Sequence, residues 1–155
     1  MFRLLIVDDE YYVRVGIKSA IDWSEIGVEV VGEAADGEEA LEMALSSRPD
    51  IILTDVRMPF MDGLTLMERL GSEMPECGFI VLSGHNEFEY ARQAIRQGAF
   101  AYLLKPIDRQ ELKDTVFAAM KKMQDNRSAR EYYEVLSGEY FELQQRFLQS
   151  LLKIS

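Results

Sequence analysis

Apolar positions along the chain follow two alternating rhythms. Phe2–Val7, Val28–Glu33, Ile51–Thr54, Phe79–Ser83 and Phe100–Leu104 are short runs rich in apolar, β-branched and aromatic residues, the composition of buried strands. The segments between them carry apolar residues at helical spacing. Glu10–Ile21 sets Val13, Ile17 and Ala20 on one face, and Glu38–Ser46 does so with Ala40, Leu41, Ala44 and Leu45. Leu64–Met74 turns Leu66, Met67 and Leu70 inward, and Glu87–Gln97 is a fourth helix. Pro49 and Pro75 stop the second and third helices, and Gly98 is a left-handed stop for the fourth. Asp108 is a natural N-cap for a last helix that buries Leu112, Val116 and Met120.

Five strand runs alternating with helices predict an α/β fold, a parallel sheet covered on both faces. Ligand sites in such sheets form at the carboxyl ends of the strands. Here the first strand ends in Asp8-Asp9, the third in Asp55, the fourth in Ser83 and the fifth in Lys105. One rim therefore collects three carboxylates, a hydroxyl and an ammonium.

Composition narrows the function classes. The chain has 155 residues, room for one domain and a little more, with 48% apolar and 28% charged residues. Its 17 basic residues against 27 acidic ones give a net charge of −10, which argues against a free-standing nucleic-acid binder. Residues 126–155 hold four of each sign, so the whole imbalance lies in residues 1–125. Cys77 is alone, which excludes an intrachain disulfide, and the apolar run Leu4–Val7 is too short for a signal or a membrane span. A cytoplasmic protein with no membrane partner is expected.

Clustered carboxylates repel unless a cation compensates them, and oxygen ligands suit a hard ion such as Mg²⁺. Lys105 and the Ser83 hydroxyl suit phosphoryl oxygens, so the rim fits phosphoryl transfer onto a carboxylate. Taken singly, Asp36, Asp50 and Asp62 read as turn chemistry. Asp8, Asp9, Asp55 and Lys105 agree as a set and read as a site.

The motifs Leu5-Ile6-Val7-Asp8-Asp9-Glu10, Leu53-Thr54-Asp55-Val56-Arg57-Met58-Pro59 with Met61-Asp62-Gly63, Val81-Leu82-Ser83-Gly84 and Tyr102-Leu103-Leu104-Lys105-Pro106 resemble the receiver domain of two-component response regulators. The resemblance spans residues 2–124. It implies a flavodoxin-like (βα)5 fold with a five-stranded parallel sheet in the order 2-1-3-4-5. It also implies that Asp55 accepts a phosphoryl group from the phosphohistidine of a sensor histidine kinase. Asp8, Asp9, Asp55 and the Arg57 backbone carbonyl would hold Mg²⁺, and Lys105 would neutralise the phosphoryl group across a cis Lys105-Pro106 bond. Ser83 and Tyr102 would be the switch pair. Such a domain is not an enzyme; it catalyses only its own phosphotransfer and slow autodephosphorylation.

Around Ser83–Ala91 and Gly98–Ile107 the sequence is similar to receivers of YesN-like regulators, which carry an AraC-type DNA-binding domain. This implies transcriptional regulation through an output domain missing here, with DNA reached only through it. His85, the only histidine, reads as a solvated loop residue or an influence on phosphoryl lifetime. Trp23 and the eight methionines read as packing residues, and Phe88 and Tyr90 as interface or half-buried aromatics.

Residues 125–155 form a helical extension from the receiver, residues 1–124. Tyr133, Leu136, Tyr140, Leu143, Phe147, Leu151 and Ile154 recur in steps of three and four, a near-heptad seam interrupted only by the weak helix former Gly138. A homodimer through this helix, through a receiver face, or through both is expected, and the seam's end at Ser155 suggests truncation before the output domain.

Three other readings compete. A phosphohydrolase with an aspartate nucleophile usually wants a second Asp two residues on, where this chain has Arg57. A flavin carrier wants a Ser/Thr/Gly-rich loop after the first strand, where Asp8-Asp9-Glu10-Tyr11 stands. A phosphorylation-independent interaction receiver is the remaining alternative.

Overall fold

The computed structural model describes residues 1–154, with side chains to Leu151. Five strands, β1 (Phe2–Val7), β2 (Val28–Ala34), β3 (Ile51–Asp55), β4 (Gly78–Ser83) and β5 (Ala101–Leu104), alternate with helices α1 (Tyr11–Ala20), α2 (Gly37–Ser47), α3 (Gly63–Glu73), α4 (Phe88–Arg96) and α5 (Arg109–Ile154). All neighbouring strands pair in parallel, in the order β2-β1-β3-β4-β5. This is the flavodoxin-like receiver architecture the motifs imply, with a long C-terminal helix.

The central strands are largely apolar, with polar residues gathered mainly at their carboxyl ends, because helices cover both faces. Leu5, Val7, Ile52 and Val81 face a core shared with Ala40, Ala44, Leu66, Leu70 and Ala94 of α2, α3 and α4. Leu4, Ile6, Ile51, Leu53, Ile80 and Leu82 alternate with those positions and are fully buried, and Ile17 of α1 and Leu112 and Val116 of α5 are buried as well. At the edge, the β1–β2 register advances by one residue between the Leu4–Val30 and Leu5–Gly32 pairs, leaving Val31 as an extra residue.

The three aspartates set aside as turn residues have such roles. Asp36 Oδ1 caps α2 through the Glu39 N–H and Asp62 Oδ1 caps α3 through the Thr65 N–H, both at 2.8 Å, while Asp50 Oδ2 accepts from the Arg3 N–H. Gln110 N–H donates to Asp108 Oδ1 at 3.0 Å, so Asp108 does start α5. Gly98 has a φ of +108° just beyond α4. Trp23 is buried and its Nε1 donates to the Ile17 carbonyl, so it is a packing residue.

Several local expectations are corrected. Leu45, expected on the buried face of α2, is 38% exposed, and the small Ala40 and Ala44 make the sheet contact. A 3₁₀ turn at Trp23–Ile26 is additional, and another at His85–Glu87 precedes α4, which begins at Phe88 rather than Glu87. Glu87 closes that turn itself: its carboxylate accepts from the Gly84 N–H at 2.7 Å.

The chain divides into two compact units, Met1–Ala119 and a second from Met120 on. In the second unit the described apolar positions of the seam, Tyr133, Leu136, Tyr140, Leu143, Phe147 and Leu151, are all exposed. Among the described residues, no helix is long and apolar enough to cross a membrane.

Candidate functional site

Each rim residue is delivered by the end of a strand. Asp8 follows the last residue of β1, Asp55 ends β3, Ser83 ends β4 and Lys105 follows β5. Asp8 and Ser83 are fully buried and Asp55 nearly so, whereas Asp9 and Arg57 are exposed. The Lys105 backbone N–H donates to the Ser83 carbonyl, and the Lys105-Pro106 bond is cis.

Lys105 joins the two buried carboxylates. Its Nζ donates to Asp55 Oδ2 at 3.0 Å and lies 2.9 Å from Asp8 Oδ2, an ion-pair contact without hydrogen-bond alignment; Glu10 Oε1 stands further off, at 3.9 Å. One ammonium thus serves two buried negative charges. Asp8 Oδ1 accepts from the Glu10 N–H at 2.8 Å, and Asp55 Oδ1 receives only a long bond, 3.3 Å, from the Arg57 N–H.

The electrostatics follow from this arrangement. Burial is the largest influence on Asp55 and raises its pKa; the Lys105 hydrogen bond opposes it, the charge on Asp8 adds to it, and the net value is about 6. For Lys105, burial disfavours the ammonium, but the close Asp8 and Asp55 carboxylates that it pairs with outweigh that, and its pKa moves up. Asp55 is therefore an ionised but poorly solvated carboxylate at neutral pH, the state that suits a nucleophile.

Glycines make room for this. A side chain at Gly63 would strike the Asp55 carbonyl, and one at Gly37 would strike the Met61 backbone, so the starts of α3 and α2 close over the β3 loop only because neither residue has a Cβ. The Gly63 N–H also bonds to the Val56 carbonyl at 2.9 Å.

The oxygen donors at the rim suit a hard cation. The carboxylate oxygens of Asp8, Asp9 and Glu10 lie within 4.8 Å of one another, an oxygen-only cluster of the kind Mg²⁺ takes. Glu10, adjacent in Asp8-Asp9-Glu10, joins the expected Asp8 and Asp9 in this cluster, while Asp55 stands outside it. Among the described residues, Ser83 Oγ is buried with no hydrogen-bond partner, a donor ready for an added oxygen. Tyr102 is 37% exposed, on β5, the strand that leads to Lys105. His85 is exposed, in the 3₁₀ turn that precedes α4. Arg57 stacks its guanidinium 5.0 Å from the centre of the half-buried Tyr90 ring.

Comparisons with known proteins cover the same stretch of the chain. Residues 4–117 match the response regulator receiver domain family. The chain is 42% identical over 112 residues to the transcriptional regulatory protein YesN of Bacillus subtilis, covering 72% of this chain and 30% of that protein. It is 36% identical over 112 residues to the transcriptional regulatory protein HptR of Staphylococcus aureus, covering 72% of this chain and 44% of that one. The chain thus spans less than half the length of these relatives. The receiver domain of AraT from Geobacillus stearothermophilus superposes with a TM-score of 0.78 at 48% identity, over 81% of this chain and 98% of that one. A two-component transcriptional regulator AraC from Clostridium phytofermentans gives 0.76 at 36% identity, over 82% and 98%. Because sheet order, rim residues and sequence match all coincide over the same stretch, the chain belongs to the response regulator receiver domains of two-component systems.

Proposed function

We propose that the protein receives a phosphoryl group on Asp55 from a sensor histidine kinase and passes the signal to transcription through an AraC-type DNA-binding domain. The observation that carries this is the buried Asp55 carboxylate, held 3.0 Å from Lys105 and sharing that cation with Asp8. In the transfer, an Asp55 oxygen attacks phosphorus, the bond to the kinase histidine nitrogen breaks, and its electron pair returns to the imidazole. Lys105, bonded to Asp55 Oδ2, is placed to follow the charge that builds on the phosphoryl oxygens as the Asp55 carboxylate gives up its own to the new O–P bond.

Asp8, Asp9, Asp55 and the Arg57 carbonyl would hold Mg²⁺, with Glu10 at the edge of the same cluster; the ion supplies positive charge against the phosphoryl oxygens. Ser83 Oγ donates to one of those oxygens, and Tyr102 follows inward. Phosphorylation replaces the single charge of the Asp55 carboxylate with a phosphoryl group carrying about −1.5 to −2, spread over oxygens that reach further from β3, which is why these contacts differ between the two states. The domain has no substrate to turn over beyond its own phosphotransfer and slow autodephosphorylation.

A groove of about 480 Å³ beside the rim, lined by Glu10, Val13, Ile17, Lys105, Pro106 and Leu112, supports docking of a phosphodonor protein there. The receiver, residues 1–124, acts in the cytoplasm, and the extension of residues 125–155 pairs with a second copy through the exposed near-heptad seam of its described part. DNA is contacted only by the output domain.

Incubation with a small phosphodonor tests the reading. Covalent labelling that needs Mg²⁺ and disappears in Asp55→Asn is expected; labelling that survives Asp55→Asn would overturn it.

A further inference from the structure

Asp8 lies where the chain leaves the sheet. Its N–H still donates to the Ala34 carbonyl at 3.1 Å, but the paired residues of β1 end at Val7, opposite Ala34 and Thr54. The Asp8 carbonyl is taken by a side chain instead: Arg14 Nη1 of α1 donates to it at 2.7 Å. The same guanidinium donates through Nε to Glu33 Oε1 at 3.0 Å, and Lys18, one turn further along α1, holds Glu33 Oε2 at 2.8 Å. The Arg14 side chain is only 13% exposed.

The β2 bulge brings Glu33 to this position. With Val31 as the extra residue, Glu33 pairs with Ile6 and Ala34 with Val7. Without it, Glu33 would pair with Val7 and point to the opposite face, because a slip of one residue reverses a strand's faces. The bulge therefore sends a carboxylate toward α1, where it orients Arg14.

The two ends of the acidic turn are thus fixed separately. Arg14 fixes the Asp8–Asp9 peptide through its carbonyl, and the Glu10 N–H fixes the Asp8 carboxylate. The segment between β1 and α1 joins the sheet through the Asp8 N–H and the helix through the Glu10 carbonyl, and it keeps three carboxylates within 4.8 Å of one another.

We propose that Arg14, aimed by Glu33, is a positioning residue that holds the Asp8–Asp9–Glu10 turn in the geometry that takes a hard divalent cation. This rests on the reading of the rim as a Mg²⁺ site. Charge and position make opposite predictions here. As a positive charge near the cluster, Arg14 opposes a cation, so its removal would tighten binding if electrostatics alone mattered. As a positioning residue, its removal weakens binding.

The test is calorimetric titration of the full chain with Mg²⁺, comparing wild type, Arg14→Gln and Arg14→Lys, with far-UV circular dichroism and melting without Mg²⁺ to verify folding. Arg14→Gln is expected to weaken the affinity about 10-fold. Arg14→Lys keeps the charge but cannot span the Asp8 carbonyl and Glu33 together, so it weakens binding as well. If Arg14→Gln melts too low to be titrated, Arg14→Lys and Glu33→Gln make the same comparison. Unchanged or tighter binding in folded variants overturns the role of Arg14 and leaves the metal reading standing. A wild-type protein that binds no Mg²⁺ overturns the reading beneath it.

Discussion

Replacing Asp55 with asparagine tests whether burial governs the electrostatics of the rim. The carboxyl has a pKa of about 6 instead of 3.8, because lost hydration and the neighbouring Asp8 charge outweigh the hydrogen bond from Lys105. That rise corresponds to about 3 kcal/mol withheld from the folded state once the group is ionised. The folded pKa is the raised one, so the stability supplied by the protonated form is fully present below pH 3.8 and is lost as pH climbs through about 6. Asparagine keeps the shape and an oxygen for Lys105 but never ionises. Asp55→Asn is therefore expected to stabilise the metal-free protein by about 2–3 kcal/mol at pH 7.5, roughly 5–10 °C in Tm, and by under about 1 kcal/mol near pH 4. Thermal and urea unfolding followed by far-UV circular dichroism, with a chelator present, measures both. A variant no more stable than wild type at pH 7.5, or a gain that does not shrink on acidification, would refute the reasoning.

Gly63→Ala should cost about 2–3 kcal/mol, because its Cβ meets the Asp55 carbonyl, whereas Gly71→Ala, with open space at its Cβ and a helical backbone, should gain about 0.5–1 kcal/mol; chemical denaturation of both variants checks the contrast. Cys77, whose thiol burial pushes up to about 12, should resist alkylation in the native protein and react on unfolding, as read by mass spectrometry of native and urea-treated samples. Leu143→Glu, at a seam position 61% exposed, should leave receiver melting unchanged and reduce self-association in sedimentation velocity; equal association states in both proteins would sink the seam as a dimer contact.

The rim was legible because parallel strands turn sequence order into spatial order: whatever follows each apolar run ends on one edge. Asp8, Asp55, Ser83 and Lys105 are assigned to the rim by this ordering alone. Glu10 escaped because it belongs to the turn after the strand, where no periodicity applies. The roles of Gly37 and Gly63 depend on what faces them across the β3 loop, which no local pattern encodes. Leu45 fits the helical face by spacing, but the short side chains of Ala40 and Ala44 bring α2 close to the sheet and leave Leu45 at the margin. The β2 bulge was equally hidden: Val28–Glu33 reads as a strand in either register, and only pairing with β1 reveals that Glu33 faces α1.

The most direct test of phosphoacceptance is to locate the phosphoryl group itself. After exposure to a small phosphodonor with Mg²⁺, the acyl phosphate can be trapped by hydride reduction and its position read by peptide mass spectrometry. Reduction at residue 55, absent when Mg²⁺ is chelated and abolished in Asp55→Asn, is the predicted result. Trapping at Asp8 or Asp9, or none at all in folded protein, would contradict the account.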